Sequence, residues 1–468
     1  MNVLLLTIDA WRASHASFIS VDDAGLQRTV ARDVDLTPNL AAFAADGVAF
    51  SRAVAHAPAT PYAFPSIFSS TLPLAHRGYE RIDESRVLVT ERLQDAGWTC
   101  VGIHANPWLK AKYGYDRGYV QYIDVGEFAL PLLERGRELL HERFNRDDLV
   151  YRVAQTAYRQ LRNPLRRLGT ADDELSLAND YLTSASRDEN VFVWAHLLTP
   201  HAPYEPPWRH QQRVGFDEPV SRPQRLVTRA QRNPESLGER ERRTVRRLYA
   251  ASVSHADEQV GDLLSDVDDD TLVVVTADHG EALFEHGRLG HEPALYDELL
   301  RVPLLIRPPG GNCGHYDQQV RHVDIAPTIL DYANVSSPSS YRGHSLRPLI
   351  ERPYNSSNVT GHDAVCVIAE VASTVDDPGR IDPDALQVAV RTPQRKLYYD
   401  GDETVGFDLV DDPSESKPIR ELRTGAWSVL ESALDRRLTH LERTLNRMNG
   451  REIDSETARR LRELGYLD

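Results

Sequence analysis

The sequence predicts an α/β fold with a large, mostly parallel sheet between helices, followed by a smaller antiparallel sheet and a terminal helix. Three observations carry this expectation. Apolar runs at Asn2 to Ile8, Thr99 to His104, Val191 to Leu198 and Thr271 to Val275 alternate with helical stretches at Leu88 to Ala96, Glu174 to Ala185 and Arg243 to Leu264. Such alternation implies βαβ units and a sheet covered on both faces. The runs are continuous rather than alternating, as strands buried on both faces are. After about Arg342 the pattern changes to short strands, Val365 to Val371, Leu386 to Arg391 and Lys396 to Tyr399, and a polar helix from Trp427 to Asn449. The expected division is an α/β domain over 1–342 and a smaller α+β unit over 343–468; a chain of 468 residues readily supports two.

Taken in order, the first run, NVLLLTI, stops at Asp9, the first acid of the chain. An acid after a strand is often only a turn former. A second ending of the same kind follows Thr271 to Val275, where the chain reads Thr276, Ala277, Asp278, His279, Gly280, Glu281. Two strands far apart in sequence, each delivering an oxygen or nitrogen donor at its carboxyl end, point to one metal centre assembled by the fold. Two regions read as insertions. Residues 127–167 have helical periodicity with mixed charge, as a solvated helix pair would. Residues 209–247 are dense in arginine and form either a basic rim for a polyanionic substrate or, with Glu235, Glu239 and Glu241 interleaved, ordinary helix ion pairs.

Composition narrows the class of protein. The net charge is −16, and Lys110, Lys112, Lys396 and Lys417 are the only lysines. That balance argues against nucleic-acid binding and suggests salt adaptation or a GC-biased genome. Three cysteines imply no disulfide framework. No run approaches membrane-spanning length, and NVLLLTI lacks a basic flank and leads straight into a site residue, so a cytoplasmic location is expected.

The ordered segments NVLLLTIDAWR (Asn2 to Arg12), TPNLAAFAADGVAF (Thr37 to Phe50), ATPYAFPSIFSSTLP (Ala59 to Pro73), HLLTPHAPYEPP (His196 to Pro207) and TADHGEALFEHGRLGHE (Thr276 to Glu292) resemble the sulfatase-like branch of the alkaline phosphatase superfamily. So do YDELLRVPLLI (Tyr296 to Ile306), HVDIAPTILDYANV (His322 to Val335), RGHSLRPLI (Arg342 to Ile350) and ELGYLD (Glu463 to Asp468). The resemblance implies an alkaline-phosphatase-like sandwich and a metal-dependent hydrolase of sulfate or phosphate esters. It also implies roles by position: Asp9, Thr60, Asp278 and His279 as metal ligands, Thr60 as nucleophile, and His201 and His291 at the ester or its leaving group. Asn106, His104 and His286 are candidate substrate contacts, the first two in place of a missing Gly-Lys-x-His segment.

The departures from the family pattern shape the expected chemistry. Aligned on a helix start at Ser66, Thr60 stands where sulfatases carry the Cys or Ser converted to formylglycine, and Tyr62, Ala63 and Phe64 replace Pro, Ser and Arg. Threonine cannot take that modification, so its hydroxyl needs a metal or a base to activate it. A sulfated threonine lacks the carbon–oxygen exit of the formylglycine hydrate, which leans the chemistry toward phosphate esters, diesters and phosphonates, or toward a phosphoethanolamine-type transferase. Asp9 is followed by Ala10 rather than a second acid, which favours a single divalent ion drawn from Mn, Zn, Mg and Ca, with mixed carboxylate and imidazole ligation favouring the first three. The partner is an anionic ester, such as a sugar or glycolipid ester. A catalytically silent binding protein is the remaining alternative.

Overall fold

In the computed structural model, which describes residues 1–20, 34–128, 171–186, 189–351, 366–422 and 425–445, the first apolar run forms strand β1 (Val3–Ile8). The chain continues through β2 (Val48–Val54), β3 (Thr99–His104), β4 (Gln121–Asp124), β5 (Val191–Leu197), β6 (Leu272–Ala277), the two-residue strands β7 (Ala282–Leu283) and β8 (Leu289–Gly290), β9 (Arg301–Arg307) and β10 (Gly314–Arg321). Eight of these make one sheet in the order β10-β2-β9-β6-β1-β5-β3-β4. Only β9 runs antiparallel to its neighbours. Every residue of β1, β5 and β6 is buried. Successive side chains point to opposite faces of a sheet, so both faces must be covered. One helix group contains Pro38–Phe43, Ala171–Ser184, Trp208–Arg213 and Glu239–Asp266; the other contains Thr60–Ser69, Val89–Asp95 and Ile325–Tyr332.

The register decides where the site forms. Ile8 pairs with Ala277 on one side and Leu197 on the other. Asp9 and Asp278 therefore leave the sheet side by side, at the carboxyl ends of adjacent parallel strands about 4.8 Å apart. The expected helix start at Ser66 is not what the structure shows. The helix runs Thr60–Ser69, so Thr60 occupies its first turn. Pro61 fits there because a first-turn residue has no intrahelical N–H bond to lose, and Pro65 is accommodated inside.

The second sheet is antiparallel, β11 (Val367–Ala372), β12 (Leu386–Arg391), β13 (Arg395–Tyr399) and β14 (Thr404–Asp408), with helix Ser428–Leu445 against β12 and β13. Its core continues into the segments that flank the large sheet through Tyr62, Tyr79, Leu295 and Leu300. A buried ionic group ties the two together: Lys396 Nζ lies 3.1 Å from Asp297 and 2.8 Å from Glu415, and Arg391 lies 3.0 Å from Asp297. In the arginine-rich stretch, Arg209 pairs with Glu258, Arg229 with Glu241 and Arg246 with Glu239, while Arg242 and Arg246 lie over the Phe284 ring. Helix Glu239–Asp266 begins four residues before the expected Arg243, because Glu241 turns back to accept from the Gly238 N–H at 3.2 Å. Residues 129–167 of the expected helical insertion, the end of the terminal helix beyond Leu445 and the ELGYLD segment lie outside the described residues. Among the described residues no helix is long and apolar enough to cross a membrane.

Candidate active site

Four adjacent strands, β6, β1, β5 and β3, deliver the site. Asp9 follows β1, Asp278 and His279 follow β6, His196 lies in β5 and Asn106 follows β3. Asp278 is fixed by its backbone surroundings: Oδ1 accepts from the N–H of His279 at 2.9 Å and of Ala10 at 3.3 Å. Oδ2 lies 3.6 Å from His279 Nε2. Ala10 has φ +56°, a strained left-handed conformation for a residue with a Cβ, and its carbonyl is held by the Tyr249 hydroxyl at 2.7 Å. Ala10 thus contributes its backbone N–H, not a side chain, to Asp278.

His279 Nδ1 donates to the Gly280 carbonyl at 2.7 Å, which turns Nε2 toward Asp9 Oδ1 (3.4 Å) and Thr60 Oγ1 (3.4 Å). Asn106 joins the same point. Its Oδ1 accepts from the Trp108 N–H at 3.0 Å, and this fixes the amide so that Nδ2 donates to Asp9 Oδ2 at 3.1 Å and approaches Thr60 Oγ1 at 3.5 Å. Asp9, Thr60, Asn106, Asp278 and His279 are all fully buried.

The electrostatics follow from that burial. Burial raises Asp9, yet the charge of His201 and hydrogen bonds from His196 and His279 hold it well below the usual carboxylate range. Asp278 sits above that range, because burial pushes it up and Asp9 repels its charge, against the pull of His279. Burial alone would lower His279, but Asp278 and Asp9 carry it up to about 9. The acid pair thus gathers positive charge to itself. Uncompensated, each buried ion would cost several kcal/mol. The donor set fits a divalent cation: Asp9, His196 and Asp278 offer buried ligand atoms within 4.8 Å of one another, and His279 Nε2 adds a second imidazole 3.4 Å from Asp9 Oδ1 and 3.6 Å from Asp278 Oδ2, a mixed carboxylate and imidazole set that suits Mn, Zn or Mg.

Beside this centre stands a second constellation. His201 Nδ1 donates to the Ala202 carbonyl at 2.6 Å, and His291 Nδ1 contacts Glu281 Oε2 at 3.0 Å. The two Nε2 atoms face each other at 3.4 Å. The other oxygen of Glu281 accepts from the Tyr204 hydroxyl. The structure thus brings the two candidate histidines, His201 and His291, together, and the rings of His279 and His291 lie 4.7 Å apart.

Two candidate substrate residues lie elsewhere. His104 is fully buried, stacked with Trp194 and tilted against Tyr122. His286 stacks on Tyr296, with Nδ1 at 2.8 Å from Glu298 and Nε2 at 3.2 Å from the Glu415 carbonyl, so it faces the second sheet. Sequence reasoning missed His196, Glu281 and Tyr204. His196 had a signal: a lone imidazole in the apolar run VFVWAHL needs a polar partner when buried, and it finds Thr7 at 2.9 Å and Asp9 at 3.4 Å.

Residues 1–335 match the model of the family described as Sulfatase. The uncharacterized sulfatase YidJ of Escherichia coli is 27% identical over 184 residues, 36% of this chain and 37% of its own length. The N-acetylglucosamine-6-O-sulfatase of Bacteroides thetaiotaomicron is 39% identical over 112 residues, 22% of this chain and 20% of its own. The match thus spans little more than a third of these relatives at most. The solved phosphonate monoester hydrolase of Agrobacterium radiobacter shares the fold, with a TM-score of 0.66 at 18% identity over 95% of this chain and 96% of that one. A family match over most of the chain, reached through the same strands that carry Asp9, Asp278 and His279, means that the chain belongs to the sulfatase family.

Proposed function

We propose that the chain hydrolyses sulfate or phosphate esters, with Thr60 as nucleophile at a divalent-cation centre of Asp9, Asp278, His279 and Thr60 itself. The observation that supports it is convergence: Thr60 Oγ1, in the first turn of its helix, lies 3.4 Å from His279 Nε2 and 3.5 Å from Asn106 Nδ2. A divalent ion bound there supplies stabilisation of the threonine alkoxide and polarisation of the ester oxygen.

The chain's own groups do the rest. Asp9 and Asp278 present anionic donors, Asn106 holds Asp9 and the hydroxyl in register, and the helix amino terminus adds partial positive charge beside the attacking oxygen. Thr60 Oγ1 attacks sulfur or phosphorus, the ester oxygen departs with its bonding electrons, and water then cleaves the threonyl ester to restore the hydroxyl. The leaving oxygen departs on the His201 and His291 side, where an imidazole acting as general acid gives it a proton. Tyr204 and Glu281 orient His291 for this.

Thr60 itself favours phosphate monoesters, diesters or phosphonates over sulfate, since threonine has no route to formylglycine. Transfer of the threonyl-bound group to an alcohol, as in phosphoethanolamine transferases, would use the same residues. A sugar ester is the substrate class suggested by the name of the N-acetylglucosamine-6-O-sulfatase relative. The test is hydrolysis of matched aryl sulfate, phosphate monoester, diester and phosphonate substrates in high salt across a metal series, with Thr60→Ala as control. Turnover that needs both metal and Thr60 supports the reading, and the preferred ester sets the class. Metal binding without turnover on any of them favours the transferase. No metal binding at all favours the silent binding protein.

A further inference from the structure

We infer that Gln387 and Tyr398, both on the second sheet, are positioning residues for His291: they hold the chain that follows it and so aim its imidazole at the leaving oxygen. This rests on the proposed function above and gives the smaller sheet a part in the reaction.

Side chains at alternate positions of a strand share a face. Gln387 and Arg391 therefore lie on one face of β12, and the pairings of Ala389 with Tyr398 and of Arg391 with Lys396 put Tyr398 and Lys396 of β13 on that same face. A packed sheet face is ordinarily apolar, yet Arg391, Lys396 and Tyr398 are buried and polar. With Gln387 they all meet one stretch of chain, Pro293 to Asp297, which begins two residues after His291.

The hydrogen bonds of that face run in a single direction. Tyr398 Oη accepts from the Leu295 N–H at 3.4 Å and donates its own hydrogen to Gln387 Oε1. With Oε1 engaged, the amide turns Nε2 to the Pro293 carbonyl at 3.1 Å, a group that only accepts. Each donor finds an acceptor in one orientation of the Gln387 amide, so the pair pins the backbone on both sides of Ala294.

The neighbouring anchors make that grip matter at the site. Before His291, Gly290 of β8 pairs with Ala282 of β7. Beyond Leu295, Lys396 and Arg391 hold Asp297, and the next two carbonyls, of Glu298 and Leu299, accept the N–H groups of Glu281 at 3.0 Å and Gly280 at 2.8 Å. Glu281 and His291, which meet at 3.0 Å, therefore hang from opposite ends of the stretch that the second sheet grips. A slip of that stretch changes the angle at which Glu281 meets Nδ1 and swings Nε2 away from the reacting atoms. Misplacement of a reacting group by about 1 Å costs up to about a hundredfold in rate.

The test separates positioning from folding through the leaving group. A nitrophenolate departs as an anion without a proton, whereas an alkoxide needs one. Kinetics on the nitrophenyl and the methyl form of the preferred ester are compared in the full, metal-loaded chain. We expect Gln387→Ala and Tyr398→Phe to lower kcat on the methyl ester by about 10–100-fold with KM little changed, and to keep the nitrophenyl ester within about twofold. His291→Gln should show the same selectivity more strongly, with a loss of about a hundredfold or more on the methyl ester. The double variant should lose no more than either single one, since both residues act in one network. Equal losses on both esters in Gln387→Ala, with a lowered Tm, would make the pair structural and overturn the inference, as would no loss on either. Histidine-selective nitrogen NMR gives a readout free of turnover: the His291 ring signals, assigned by their absence from His291→Gln, should move in Gln387→Ala. If the native chain turns over neither ester, or if His291→Gln shows no leaving-group selectivity, the proposed function fails at that step; a shifted His291 signal then still supports the positioning contact, and an unmoved one overturns it.

Discussion

Thr60 Oγ1 lies 3.4 Å from His279 Nε2, although 219 residues separate them. The contact exists because His279 extends β6 by two residues while Thr60 opens the helix that leaves β2. Each element by itself is ordinary. Their meeting brings a hydroxyl, a buried imidazole and two carboxylates to one point.

That contact gives the first expectation. Thr60→Ala should lower kcat by three orders of magnitude or more, while Thr60→Ser, which keeps the oxygen, should retain measurable turnover. A loss of about a thousandfold corresponds to about 4 kcal/mol of transition-state stabilisation. Single-turnover trapping of a phosphorylated or sulfated Thr60 peptide by mass spectrometry checks the role directly, and equal activity in Thr60→Ala would remove it.

Asn106 should matter through direction rather than charge. Its amide is fixed by the Trp108 N–H and donates to Asp9. Asn106→Asp keeps the shape but replaces a donor with an acceptor beside a carboxylate. We expect kcat to fall by about a hundredfold, as for loss of one preorganised donor, and metal affinity to rise because a third acid is added. Steady-state kinetics at saturating metal, alongside a metal titration, separates the two effects.

Two histidines outside the site set an acid limit on stability. His56, whose Nδ1 donates to the Ile368 carbonyl at 2.5 Å, and His322, whose Nε2 lies 2.9 Å from the Ala277 carbonyl, are both lowered by burial to about 3. Unfolded, each would titrate near its ordinary value of about 6.5. Below that value the unfolded chain binds protons the folded chain refuses, so stability present above about pH 6.5 falls as pH drops toward 3. Each group contributes a slope of about 1.4 kcal/mol per pH unit in that window. His56→Gln should flatten the dependence of Tm on pH between 6 and 4 by about one proton, and an unchanged slope would exclude His56 as a contributor.

Gly280 should tolerate no side chain. A Cβ there would sit 2.1 Å from the Glu298 carbonyl oxygen, a backbone atom that itself accepts the Glu281 N–H at 3.0 Å. Gly280→Ala should destabilise by about 3 kcal/mol or more and weaken metal binding, because moving this backbone also moves His279 and Glu281. Denaturant melts with and without metal check both.

Much of this molecule is legible in its residues. The buried strands show as continuous apolar runs, and β3 (Thr99–His104) and β12 (Leu386–Arg391) start and end where the runs do, since β-branched and aromatic residues between polar turns leave little choice. Asp9, Asp278 and His279 are readable because each ends such a run. The helix start at Thr60 is not legible: a proline ordinarily marks a helix boundary, and Pro65 lies inside this helix.

What the residues determine alone is therefore local: which segments are strands, which ends carry donors, and that no formylglycine precursor stands at position 60. Tertiary structure decided the rest. The placing of β1 between β5 and β6 put His196 against Asp9, the Glu281 carboxylate turned His291 toward His201, and the stacking of His286 on Tyr296 drew it toward the second sheet. Strand order and the pairing of side chains from different segments depend on how whole faces pack, and a linear pattern of apolar and polar residues does not encode which donor will meet which.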